Sequence, residues 1–256
     1  MNINDKEFLE RKERLKHLIR QLKSEEDIEK VKEELKNVMS DVDPVVLAFA
    51  ENELVGEGFS REDLMKACDI HLLLFKEKIE NPDLKVPDWH PIKSFQDDHR
   101  VILRLMEKLI EKIKELKKMK DFESGKSQIE VIEKILDALM EAENHNVRQE
   151  NTLFPVLEKH GIEQPPAIMW AEHTEMKEQK KEMLKLLKDR NNFTFDEFCN
   201  KMLKLANLLF EKFALHTQKE QNILYVTALS VITEDEWKDI KEECDNLGYF
   251  KVAEGL

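Results

Sequence analysis

Little in this chain interrupts a helix. Glycine and proline number only 6 and 7 in 256 residues, and no stretch alternates polar and apolar residues as a half-buried strand would. Apolar residues instead recur at three- and four-residue intervals almost throughout, which predicts an all-α protein. Cysteine is as sparse: Cys68, Cys199 and Cys244 lie far apart and form no Cys-x-x-Cys pair. With no secretion signal, that argues for reduced thiols serving as small buried hydrophobes. Cys68 and His71 have a spacing that can ligate a metal, but one such pair is a weak signal, and His71 reads as a core histidine on an apolar face. Excess positive charge is missing too. A net charge of −13 and a pI near 5.2 exclude the basic face of a nucleic-acid binder. No N-terminal apolar run, lipidation signal or run of about 18 apolar residues occurs, so no membrane span is expected and the location expected is cytoplasmic.

Charge of both signs is abundant, 37% of all residues. Mixed Lys and Glu at helical spacing read as solvated faces with i,i+4 pairs, a composition also common in heat-adapted proteins. The length fits one large or two smaller domains. Residues 1–80 are expected to form a unit of four helices. Its first stripe carries Phe8, Leu15, Leu18, Ile19 and Leu22, and its second Val31, Leu35 and Val38. The third helix opens at Pro44 and closes near Gly56, and the last starts at a cap in Ser60-Arg61-Glu62-Asp63. Polar residues with Pro82 and Pro87 mark a linker over 81–90. From Pro91 to Ile232 four long helices follow, broken near Asp121–Gly125, His160–Gly161 and Asn191–Asn192. Residues 233–256 carry a short amphipathic helix expected to pack on the resulting bundle.

One stretch concentrates the chemistry. In His216-Thr217-Gln218-Lys219-Glu220-Gln221-Asn222-Ile223-Leu224-Tyr225, His216 and Glu220 stand one turn apart on a face shared with Leu209, Phe213 and Ile223. A carboxylate aimed into an apolar core costs several kcal/mol or is driven neutral unless a cation compensates it, and a metal ion is the economical answer. The pattern has a partial echo in His145-Asn146-Val147-Arg148-Gln149-Glu150-Asn151-Thr152-Leu153-Phe154-Pro155. His99 and His173 lie inside the apolar stripes of the remaining two long helices. A single histidine on such a stripe is ordinarily structural. Four on four successive helices, two of them followed by carboxylates, match the way helix bundles build metal sites, and imidazole with carboxylate suits iron, manganese or zinc. His160 reads as a cation at a helix C-terminus and His17 as a surface residue.

Taken together, Asp98-His99-Arg100, His145 with Glu150 before Leu153-Phe154-Pro155, Glu172-His173, and His216 with Glu220 resemble the hemerythrin family and its HHE cation-binding members over residues 90–232. Residues 1–80, with Met65-Lys66-Ala67-Cys68-Asp69-Ile70-His71, look similar to an uncharacterised helical domain fused ahead of such bundles. The resemblance implies a non-haem di-iron centre bridged by carboxylates and an oxo or hydroxo group. It implies His99, His145, His173 and His216 as terminal ligands and Glu220 as a bridge. The second bridge departs from the family's pattern. The position four residues after His145 is Gln149, and Glu150 is one further, about 140° around an ideal helix. A π-bulge above Pro155 would bring Glu150 round, and Glu141, one turn before His145, competes with it. Lys177 stands where some members carry another histidine, and His90, in Trp89-His90-Pro91, is a candidate to complete the set.

Three readings follow. In the first, an iron centre binds or senses dioxygen or a related small oxidant, with residues 1–80 docking a protein partner or transmitting the state of the metal. In the second, the protein is an oxidoreductase or a nitric-oxide or peroxide defence enzyme. In the third, zinc holds a structural or signalling module together.

Overall fold

A computed structural model describes residues 6–21, 44–60, 62–65 and 84–252. The expected second helix, the Cys68–His71 pair and most of the fourth N-terminal helix lie outside them. Among the described residues every regular element is helical: α1 (Lys6–Gln21), α2 (Pro44–Gly56), α3 (Pro91–Leu116), α4 (Lys126–Glu141), α5 (Glu143–Arg148), α6 (Phe154–Lys159), α7 (Gln164–Lys188), α8 (Phe195–Lys219), α9 (Tyr225–Val231) and α10 (Glu234–Leu247). A π-turn, Gln149–Leu153, joins α5 to α6, and a second, Glu220–Leu224, joins α8 to α9. The C-terminal part is thus the helical bundle that the hydrophobic periodicity predicts. No described helix is long and apolar enough to cross a membrane.

Local sequence explains where the helices begin and end. Pro91 occupies the first turn of α3, where its missing N–H is harmless, and His90 caps that turn by accepting from the Ile92 N–H at 3.2 Å. Thr194 and Glu197 form a capping box at α8: the Thr194 hydroxyl accepts from the Glu197 N–H at 3.3 Å and Glu197 accepts from the Thr194 N–H at 2.9 Å. Thr233 and Glu236 repeat it at α10. Gly161, at φ 79°, ends α6 with the Ile162 N–H returning to the Leu157 carbonyl at 3.0 Å, the left-handed closure that glycine favours. The break between α4 and α5 falls at Ala142; there the buried Lys180 Nζ donates to the Leu139 carbonyl at 3.3 Å and pairs with Glu143.

Backbone proximity divides the chain into two compact units. One holds residues 85–153, 170–217 and 237–256, and its core runs along α3, α4, α7 and α8 through Ile102, Met106, Leu109, Ile132, Leu136, Met183, Phe198 and Met202. Within it α10 contributes Trp237, whose ring centre lies 4.3 Å from that of His90, and Cys244, 3.4 Å from the Thr152 hydroxyl. Both described cysteines are free and buried; burial raises the Cys199 thiol to about 11, as befits an inert small hydrophobe. The second unit holds the described residues up to Leu84 with 154–169 and 218–236. There Phe8 and Leu15 of α1 pack on Val46, Phe49 and Ala50 of α2. The buried Lys16 ammonium reaches Glu53 at 2.8 Å and Glu57 at 2.7 Å. Burial would lower its pKa, but the carboxylates of Glu53, Glu57 and Glu13 outweigh that and raise it. Asn52 of α2 donates to the Gly161 carbonyl at 2.6 Å and accepts from the Gln164 N–H at 2.9 Å. The same helix packs against α9 and the π-turn Glu220–Leu224.

Candidate metal centre

Four helices each deliver one buried histidine, the long α3, α7 and α8 giving His99, His173 and His216 and the short α5 giving His145, all 6% exposed or less. Aromatic side chains wall them in. The Phe95 ring centre stands 5.5 Å from His145 and that of Phe213 6.0 Å from His99. The imidazoles form two pairs, His99 with His145 at 4.9 Å and His173 with His216 at 4.8 Å between ring centres. Glu220, fully buried, opens the π-turn that continues α8 one turn beyond His216. The ligand-type atoms of His99, His145 and Glu220 lie within 4.8 Å of one another, and so do those of His173, His216 and Glu220. One carboxylate therefore belongs to both sets.

A layer of carboxylates fixes the imidazoles. His216 Nδ1 donates to Glu172 at 2.7 Å, His173 Nδ1 to Glu150 at 2.8 Å, and His145 Nδ1 to Asp98 at 3.1 Å. An ionised carboxylate only accepts, so each Nδ1 carries a proton, and in the neutral imidazole Nε2 then keeps its lone pair. The Asp98 carboxylate is shared with Arg148, whose guanidinium is fully buried and also reaches the Ser94 hydroxyl and Asn144 Oδ1, both at 3.2 Å. Burial alone would push the Asp98 carboxyl up, but His145 and Arg148 outweigh it and hold the group below the usual carboxylate range.

This arrangement supplies the test of whether a cation fits. His173 Nε2 and His216 Nε2 approach to 3.1 Å. With both Nδ1 protons committed to carboxylates, two lone pairs face each other, an arrangement that repels unless a proton or a metal ion lies between them. Histidines backed by carboxylates, with another carboxylate beside them, are the donor set that zinc, iron and manganese sites use. The residues present fit a metal.

Of the candidates read from the sequence, His99, His145, His173, His216 and Glu220 come together. Glu150 is not among these clustered donors. The π-turn anticipated above Pro155 is present, but it turns Glu150 to Nδ1 of His173, while the fully buried Gln149 takes the inner position with its Nε2 3.0 Å from His145 Nε2. Glu141 is exposed. His90 also stands apart: its Nδ1 accepts from Ile92 and its ring lies on Trp237, where burial lowers its pKa to about 4. His160 pairs with Glu236 at 2.9 Å and His17 is exposed. Sequence reading quoted Asp98 and Glu172 without giving them a role. The available signal was their place directly before His99 and His173, although each serves a histidine on another helix. Tyr225, whose hydroxyl donates to Glu220 at 3.0 Å, was missed as well.

Comparison with known proteins agrees with this geometry. Residues 15–81 match the family model described as a family of unknown function (DUF438), and residues 90–228 match the hemerythrin HHE cation binding domain. No curated protein matches the chain. The second match covers more than half of the sequence and contains all four clustered histidines and Glu220, so the chain belongs to the hemerythrin HHE cation-binding family.

Proposed function

We propose that this protein holds iron, as a pair of ions, between His99, His145, His173, His216 and Glu220, and that the centre binds or senses dioxygen or a related small oxidant in the cytoplasm. The observation that carries the reading is the sharing of buried Glu220 by two histidine pairs, three of whose rings, His145, His173 and His216, are held through Nδ1 by Asp98, Glu150 and Glu172. A carboxylate common to two donor sets is the element that a two-ion site requires. Iron would supply redox chemistry there; the chain contributes fixed Nε2 donors, one shared carboxylate, and apolar walls from Phe95 and Phe213 that limit access of water.

The sensing part of the proposal draws on the N-terminal region. Helix α2 rests on the π-turn that begins with Glu220, and the buried Glu51 of α2 lines one small cavity with the buried Lys219 and with Ile223 and Leu224. A shift of that turn when Glu220 takes up or releases a cation is felt by α2. Aerobically purified protein loaded with iron should contain about two ions per chain and show a near-ultraviolet band, and amide exchange over residues 44–56 should differ between its oxidised and reduced states. A colourless protein with stoichiometric zinc would overturn the iron reading. Identical exchange in both states would leave iron in place and remove the sensing role.

A further inference from the structure

Gln96, on the buried face of α3, has no part in the contacts described so far. It is 2% exposed, yet neither its Nε2 nor its Oε1 meets a hydrogen-bond partner, and among the described residues it is the only side chain with two such atoms. Asp98, Glu150 and Glu172 are committed to imidazole nitrogens, Gln149 to His145 and Tyr225 to Glu220. A buried amide with both ends unsatisfied costs stability, and such groups in folded proteins mark a function or a bound species. Position points the same way. Gln96 lies one helical turn before His99 on the buried face of α3, which places the two Cβ atoms about 5–6 Å apart. His99 is in turn one of the clustered donors.

We infer that Gln96 is the residue that recognises the small ligand of this centre, its amide N–H donating to an anionic or oxygen-bearing diatomic or triatomic molecule held beside His99. The inference rests on the proposed metal site and adds to it the residue that selects the ligand. The chain keeps an unspent donor and an unspent acceptor on the buried face of α3. That arrangement favours a ligand able to accept a hydrogen bond over one that cannot, because an unmatched ligand leaves the amide buried and unsatisfied. Gln96 is a specificity-determining residue in this account and need not bind the metal.

The test uses the iron-loaded full chain, the Gln96→Met variant, which keeps the length of the side chain and removes the amide, and azide as the probe, followed by its absorption change. The expected result is unchanged iron content, a dissociation constant for azide raised about tenfold, the worth of one hydrogen bond to a charged acceptor, and a metal-free variant whose melting temperature is no lower than that of the parent. An unchanged azide constant at equal iron content would overturn the inference and leave the metal site standing. A fall in the melting temperature of the metal-free variant with azide binding intact would make Gln96 a structural residue. Should Gln96→Met fail to fold, Gln96→Asn, which withdraws the amide by one methylene, carries the same expectation for azide. A parent protein that takes up no iron would sink the metal reading, and this inference with it.

Discussion

Replacing Asp98 by Asn removes one negative charge and almost no volume, and its consequences follow from two contacts. The Asp98 carboxylate accepts from His145 Nδ1 at 3.1 Å and from the Arg148 guanidinium. Arg148 is wholly buried, its remaining neighbours being the Ser94 hydroxyl, Asn144 Oδ1 and the rings of Phe95 and Tyr249, 5.3 and 4.5 Å from Cζ. None of these carries a compensating charge. Asp98→Asn therefore leaves a buried cation unneutralised, at a cost of about 3–5 kcal/mol. Arg148→Met should cost a similar amount by stranding the carboxylate. The double variant removes both charges and should be less destabilised than the sum of the two, by about 1–3 kcal/mol. Urea unfolding of the metal-free proteins measures all three. Separately, His145 loses the anion that orients its ring, and metal affinity should fall about 10- to 100-fold in Asp98→Asn, measured by competition with a chelator. A destabilisation under about 1 kcal/mol, the value of a solvated surface pair, would refute the claim that this is a buried, coupled ion pair.

Three further outcomes are expected. Tyr225→Phe removes the hydroxyl that donates to Glu220 at 3.0 Å, and should cost about 1–3 kcal/mol of stability, read by thermal unfolding of the metal-free protein. Gly125→Ala would set a methyl group 2.4 Å from Leu116 Cδ1 and 3.2 Å from the Asp121 carbonyl, so overpacking should destabilise it by about 1–3 kcal/mol in the same assay. Glu236 is held at about 2 by the Thr233 N–H, with help from His160 and the Thr233 hydroxyl. A depressed carboxyl stabilises fully above its ordinary value of 4.5 and progressively less as pH falls towards about 2. The gap in melting temperature between metal-free parent and Glu236→Gln should accordingly be widest near neutrality and close across that acid range; a gap independent of pH would deny the pairing.

The sequence was legible wherever structure is decided within a turn or two of helix. Apolar spacing and Pro91 at the first turn of α3 made the helices of the bundle legible, because those signals act within a turn of helix. The same periodicity put His99, His145, His173 and His216 on inward stripes, and with Glu220 that was enough to read a metal site. What it left open were relations between helices and departures from helical geometry. The π-turn at Gln149–Leu153 sends Glu150 to Nδ1 of His173 and keeps Gln149 inside, a choice that a one-residue change of register makes and that spacing on an ideal helix does not reveal. Asp98 and Glu172 precede His99 and His173 in the chain but hold His145 and His216 in space. Only packing decides such pairings, because a side chain meets partners from other helices according to how the helices are set together.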